Sequence, residues 1–102
     1  MAEPDHHLTL ADAIESTHAW QKKHRGGRHA WLLPRTIIDE ILKQPGCSGI
    51  RVYAGGVKGD KRLVWVGTSA EGNDLTDGVI AEECSPCPPY CAVASPLLAK
   101  KR

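Results

Sequence analysis

Residues 49–68, with the sequence GIRVYAGGVKGDKRLVWVGT, decide the fold. From Ile50 to Ala54 the side chains alternate, with aliphatic residues at even positions and Arg51 and Tyr53 between them. A period of two is typical of a β-strand, because successive side chains of a strand point to opposite faces of the sheet. The first half of this stretch therefore predicts a strand with one apolar face.

The second half of the same stretch predicts a strand that is buried more completely. Residues 63–66, LVWV, are apolar at every position, and three of the four are β-branched or aromatic. Such a strand is typical of the centre of a sheet or of a strand covered on both faces. The polar, glycine-rich segment before it predicts a turn. We therefore expect a hairpin with strands at about residues 50–56 and 62–68.

Two segments before the hairpin have helical periodicity. The first begins at Thr9, because Thr9 and Asp12 form a capping box there, and it extends to about His24. The second covers residues 35–43, where four aliphatic residues form one stripe and Pro34 fits the first turn. We therefore predict an α+β fold in which two helices pack on a small antiparallel sheet.

The ends of the chain have no such periodicity. Residues 1–8 are predicted to be a mobile terminus, and residues 79–81 offer at most one short strand. Residues 84–102 contain four prolines, which fix φ and lack an N–H group, so we predict an irregular tail over or beside the sheet. A chain of 102 residues can bury one modest core, which predicts a single domain over residues 1–102.

Composition narrows the classes of function. A net charge of +1 provides no global field toward nucleic acid or an anionic membrane. No stretch approaches the roughly 20 apolar residues of a transmembrane helix, so we predict no membrane partner. The polar, acidic start differs from a secretory signal and predicts a cytoplasmic location, where thiols are kept reduced. That inference would reverse for a mature secreted chain.

Three of the four cysteines lie in the tail, in the run CSPCPPYC at residues 84–91. The two-residue gap between Cys84 and Cys87 is common in zinc sites, and Cys91 adds a third thiolate. The fourth ligand of a tetrahedral zinc site would be Cys47 or one of the histidines His18, His24 and His29. Two other interpretations stay open: packed apolar thiols, and a disulfide or redox pair.

A second feature is a set of basic clusters beside aromatic residues. One lies at the end of the first helix and another at the hairpin turn; they comprise Lys22, Lys23, Arg25 and Arg28, and Lys58, Lys61 and Arg62. Trp20, Trp31 and Tyr53 could provide stacking faces for bases. Cations at a helix C-terminus already interact favourably with the helix dipole, however. Nucleic-acid binding through the first cluster is therefore a weaker alternative.

The sequence shows no convergent set of acid, base and nucleophile. The leading prediction is therefore a non-enzymatic binding or adaptor module with a protein partner, in which the tail and the aromatic residues form the recognition surface. A small zinc protein is the alternative. A thiol enzyme with Cys87 or Cys91 as its nucleophile is a third possibility.

Several short stretches resemble a known pattern when they are taken together. They are LADAI at 10–14, LLP at 32–34, GIRVY at 49–53, VWVG at 64–67, GNDL at 72–75, SPCPPYC at 85–91 and SPL at 95–97. With these stretches the chain resembles a group of small, uncharacterised bacterial proteins of similar length, over most of its sequence. The resemblance implies a helix, helix and hairpin body with a CPxxC-type tail, in which Cys87 and Cys91 are the most typical pair. It implies no activity and no cofactor.

Overall fold

The computed structural model describes residues 6–57, 60–82, 85–87 and 94–99. These residues form an α+β fold with two helices and five strands, which confirms the predicted class. The elements are α1 (Leu10–Lys23), β1 (Ala30–Leu32), α2 (Arg35–Leu42), β2 (Gly49–Val57), β3 (Asp60–Thr68), β4 (Ile80–Glu82) and β5 (Ser85–Cys87). Strands β2, β3 and β4 form a three-stranded antiparallel sheet, and β1 pairs with β5.

The hairpin is the centre of the fold. Strands β2 and β3 pair antiparallel from Gly49 opposite Thr68 to Val57 opposite Asp60. Strand β3 is central, because β4 pairs with its other edge. Both the hairpin and the central position of its second strand are confirmed. Residues directly opposite each other share a face, so the even positions of β2 lie on one face with the odd positions of β3.

Helix α1 begins where its capping box predicts. Thr9 Oγ1 accepts a hydrogen bond from the backbone N–H of Asp12 at 3.1 Å. The helix ends with His24 as its C-cap, and Gly26 adopts a φ of +82°, which a glycine reaches without steric cost. None of its residues is buried. Capping therefore defines the ends of this helix, and its packing is light.

Helix α2 packs on the three-stranded sheet. Ile41 is fully buried, and the amide of Gln44 links this end of the helix to the chain before β4. Gln44 Nε2 donates to the Ile41 carbonyl at 2.9 Å, and its Oε1 accepts from the backbone N–H of Val79 at 2.8 Å. Pro34 lies at the N-cap, one position before the predicted first turn. The α2–sheet contact holds the best-packed residue of the described chain.

The prediction of a wholly irregular tail is wrong for residues 85–87. They form β5, antiparallel to β1, with Cys87 opposite Ala30 and Pro86 opposite Trp31. Both members of a two-stranded pair are edge strands, and an edge strand tolerates a residue without an N–H group. Residues 95–99 are turn or irregular structure, as predicted. Most of the cysteine and proline run, and residues 1–5, lie outside the described residues.

The described part of the chain contains no helix that is long and apolar enough to cross a membrane. Its buried apolar side chains are few: Ile41 in α2, Val66 in β3 and Cys87 in β5. Several large aliphatic side chains are more than half exposed, among them Leu8, Leu10, Leu32 and Ile80. The described core is therefore small, and much apolar surface faces solvent.

Candidate functional site

A cavity of about 370 Å³ lies between α1, β1 and one face of the β2–β3 hairpin. We call it the tryptophan groove, because Trp20 and Trp31 are among the residues that line it. Its floor is apolar and consists of Val52, Ala54 and Leu63. These three side chains share one face, since Ala54 lies directly opposite Leu63 in the hairpin and Val52 is two residues before Ala54.

The side chain of Lys61 lies among the aromatic residues of the groove. Its Nζ is 4.3 Å from the centroid of the Trp20 ring and 6.0 Å from that of Trp31. An ammonium group within about 6 Å of an indole centroid is attracted by the ring quadrupole. The ring of His24 stacks on Trp20 with centroids 3.5 Å apart. Both His24 and Lys61 therefore contact the Trp20 ring.

Polar groups complete the groove. Ser16, Thr17 and Gln21 contribute from successive turns of α1. Two lining residues also carry a buried nitrogen with no hydrogen-bond partner among the described residues, namely His29 Nδ1 and Trp31 Nε1. A buried polar atom without a partner costs about 1–3 kcal/mol. The described chain therefore leaves two buried polar atoms unsatisfied in residues that line the groove.

The tail positions two sides of the groove. On the β1 side, the backbone N–H of His29 donates to the Cys87 carbonyl at 2.5 Å, next to the β1–β5 pairing. On the α1 side, Thr17 Oγ1 and Gln21 Nε2 both donate to the Leu97 carbonyl at 2.9 Å. Gln21 Oε1 also accepts from the Ala99 N–H at 2.8 Å. The shape of the groove thus depends on residues 85–87 and 95–99.

The groove joins features that are separate in the sequence. The predicted basic cluster at the end of α1 and the cluster at the hairpin turn meet, since Arg28 Nη1 donates to the Lys61 carbonyl at 3.5 Å. The other basic residues of the first cluster are exposed and lie a few positions before Arg28 in the sequence; they are Lys22, Lys23 and Arg25. Sequence reasoning named Trp20, Trp31 and Lys61 but did not bring them together. The signal in the sequence that could have indicated the groove is the position of these aromatic residues close to basic clusters.

The structure describes two of the four predicted zinc-binding cysteines. Cys87 is buried and disulfide-bonded, and its partner lies outside the described residues, as do Cys84 and Cys91. A disulfide sulfur lacks the thiolate that zinc binds, so a zinc site would require reduced Cys87. Cys47 is a free, half-buried thiol whose Sγ donates to the Gly49 carbonyl at 3.3 Å. The zinc site stays a prediction.

The candidate histidine ligands are engaged elsewhere or belong to the groove. His18 Nε2 is 3.0 Å from the Pro96 carbonyl oxygen, and His24 Nδ1 is 2.9 Å from that of Trp20. His29 lines the groove. Within the ranges that the structure describes, no three His, Cys, Asp or Glu residues are grouped so that they could hold a metal ion.

A second polar cluster lies on the opposite face of the sheet. Arg51 Nη1 donates to Asp74 Oδ1 at 2.5 Å and to the Gly72 carbonyl at 3.0 Å, while the Tyr53 hydroxyl donates to Asp74 Oδ2. The hydrogen bond from Tyr53 holds the pKa of Asp74 below its usual value and raises the pKa of Tyr53. The bond to Asp74 likewise raises the pKa of Arg51. The cluster ties the β3–β4 connection to β2.

Local sequence patterns did not indicate this cluster, because Arg51 and Tyr53 meet Asp74 only through tertiary structure. Comparison with protein families, curated proteins and solved structures finds no match to this chain. The resemblance to small bacterial proteins therefore stays a prediction. Function must be argued from the geometry of the described residues.

Proposed function

We propose that this protein is a non-enzymatic binding or adaptor module that receives a segment of a protein partner in the tryptophan groove. The observation that carries the proposal is the groove itself, an apolar floor flanked by two indoles and one ammonium group. Tryptophan side chains in a pocket are typical of the residues that dominate protein interfaces. A volume of about 370 Å³ suits a side chain or a short segment.

The polar groups of the groove support binding better than catalysis. Thr17 donates its hydroxyl to the carbonyls of Ile14 and Leu97, and these backbone acceptors do not activate a nucleophile. The floor residue Val52 is 42% exposed, so part of the apolar floor is open to a partner. A partner segment could therefore bury apolar surface against this floor.

A peptide library displayed on phage tests this proposal, with a substitution in the floor and a matched control. Val52→Asn changes the floor of the groove, and Ile80→Asn changes an exposed aliphatic residue of β4 on the opposite face of the sheet. Val52 pairs with Trp65, whereas Ile80 pairs with Val66, the next residue of β3. Since paired residues share a face and successive residues of a strand lie on opposite faces, Val52 and Ile80 lie on opposite faces of the sheet. We expect selected peptides to bind Val52→Asn about tenfold more weakly and Ile80→Asn as tightly as the wild type.

The result can contradict the proposal in two ways. Enriched peptides whose affinity is unchanged by Val52→Asn would show that the groove is not the recognition surface. A library that yields no peptide above background would count against peptide recognition altogether. Circular dichroism of both variants checks that neither substitution unfolds the sheet.

The cytoplasmic location stays part of the proposal, and the state of Cys87 bears on it. Disulfide bonds persist mainly in oxidising compartments. We would label intact cells with a membrane-permeant maleimide and identify the modified cysteines by mass spectrometry. A labelled Cys87 supports a reducing compartment such as the cytoplasm, and a protected, disulfide-bonded Cys87 contradicts it.

A further inference from the structure

We infer that the partner segment in the tryptophan groove carries a carboxylate that pairs with Lys61. The inference rests on the proposed function and adds the chemical class of the ligand. It is based on the charges that line the groove, on the contacts of Lys61, and on the contacts that Trp20 already makes.

The charge of the lining favours an anionic group. Among the described residues that line the cavity, Lys61 is the one permanently charged side chain, and none of them carries a carboxylate. Its ammonium group offers three hydrogen-bond donors, which an aromatic face cannot satisfy as acceptors of normal geometry. Trp31 Nε1 is a further donor in a lining residue and lacks a partner among the described residues. An anionic acceptor on a ligand would therefore complement the charge of Lys61.

Lys61 is positioned before a ligand arrives. Its ammonium group lies over Trp20, and its backbone carbonyl accepts a hydrogen bond from Arg28. The residue is half-buried. A cation held in this way loses less rotamer entropy when it binds than a freely moving lysine does. Charge-assisted hydrogen bonds from an ammonium to a carboxylate are also stronger than neutral ones.

The arrangement around Trp20 favours a peptide over a single-stranded nucleic acid. Recognition of single strands commonly uses free aromatic faces on which bases stack. His24 and Lys61 already contact Trp20. A base that stacks on this ring would compete with both of them. An acidic side chain need not compete in this way, since it would approach the ammonium from the open side of the groove.

A synthetic peptide array and one oligonucleotide test the inference. The array presents decapeptides that consist of glycine and serine except at the two central positions. Every pair of residue types is presented at these two positions. The oligonucleotide is a ten-residue oligothymidylate, measured by fluorescence anisotropy. We expect wild-type protein to bind Asp or Glu peptides about tenfold more tightly than the matching Asn or Gln peptides. The preference should weaken as salt is added.

Two substitutions of Lys61 identify the source of this preference. Lys61→Met keeps a long side chain over Trp20 but removes the charge, and Lys61→Arg keeps the charge. We expect Lys61→Met to bind acidic and amide peptides equally and Lys61→Arg to retain the preference. Thermal unfolding of both variants confirms that they are folded.

The outcomes separate this inference from the proposed function. Peptides that bind in the groove without a preference for acidic residues would overturn the inference alone. The inference also fails if Lys61→Met keeps the preference or if the oligothymidylate binds more tightly than any peptide. An array without binders would overturn both the inference and the proposed function.

Discussion

Gly67 allows helix α2 to approach the central strand. A Cβ atom at this position would lie 2.9 Å from Cys47 Sγ, 3.0 Å from Gln44 Nε2 and 3.3 Å from Ile41 Cγ2. We predict that Gly67→Ala lowers the free energy of unfolding by about 1–3 kcal/mol, because the contact becomes overpacked. Urea denaturation followed by circular dichroism measures this change.

Gly55 provides the control for this prediction. It also lies in the hairpin, but a Cβ atom there would meet only Val64 Cγ2 at an ordinary distance of 3.7 Å. Gly55→Ala should therefore change the free energy of unfolding by less than about 0.5 kcal/mol. Equal effects of the two substitutions would show that α2 does not pack as closely on β3 as the structure indicates.

Asp74 makes the stability of the β3–β4 connection depend on pH. Its pKa is lowered in the folded state, first of all by the hydrogen bond from Tyr53. A lowered folded pKa means that the stabilisation is present at pH values above the unfolded pKa and is lost as pH falls through the folded pKa. The difference in the free energy of unfolding between wild type and Asp74→Asn should therefore become smaller as the pH is lowered.

Tyr53→Phe tests the cause of this pH dependence. The substitution removes the hydroxyl but retains the ring, so the pKa of Asp74 should rise toward its ordinary value. An NMR titration of the Asp74 carboxyl carbon measures the change. An unchanged pKa in Tyr53→Phe would assign the depression to Arg51 instead.

At the scale of the elements, the β1–β5 pair links the cysteine chemistry to the groove. Cys87 is disulfide-bonded, and its carbonyl accepts the hydrogen bond from His29 beside Trp31. We predict that reduction with dithiothreitol weakens the β1–β5 pairing, because the bond no longer restrains β5. Amide hydrogen exchange of His29 should accelerate, while exchange in the β2–β3 hairpin stays unchanged.

The same measurement can contradict this view of β5. Exchange at His29 that is equally slow before and after complete reduction would show that strand pairing alone holds β5. Complete reduction is confirmed by mass spectrometry after alkylation of the thiols. Acceleration throughout the hairpin would indicate global unfolding and would also contradict a local effect.

The elements that the sequence predicted are those with local signals. The capping box of Thr9, the stripe in residues 35–43 and the alternation from Ile50 are each readable within a few residues. The pairing of β1 with β5 depends on residues far apart in the chain, and the prolines of the tail argued against a strand there. The groove was not predictable for the same reason, since Trp20 and Lys61 meet only through tertiary structure.

At the scale of the whole molecule, the one fully buried side chain among the described residues, Ile41, lies where α2 packs on the sheet, while the groove depends on weaker contacts. Helix α1 contains no buried residue, and hydrogen bonds to residues 96–99 hold its Thr17, His18 and Gln21. Within the described residues, strand β1 pairs with three residues of the tail. Contacts of this kind open at lower free-energy cost than a packed core does. A partner that fills the groove would therefore stabilise both sides by linkage.

The predicted zinc site would connect distant parts of the molecule, since Cys47 precedes β2 and the other three cysteines belong to the tail. Thiolates bind zinc and disulfides do not, so we predict that zinc content depends on the redox state of Cys87. To measure this dependence, we would equilibrate protein without an affinity tag in a zinc buffer, with its thiols either oxidised or reduced. Elemental analysis then gives the zinc content of each sample. If Cys47 is the fourth ligand, Cys47→Ala should weaken zinc binding by the reduced protein, whereas a histidine ligand predicts no change. One equivalent of zinc in protein whose Cys87 is still disulfide-bonded would contradict any site that includes this residue.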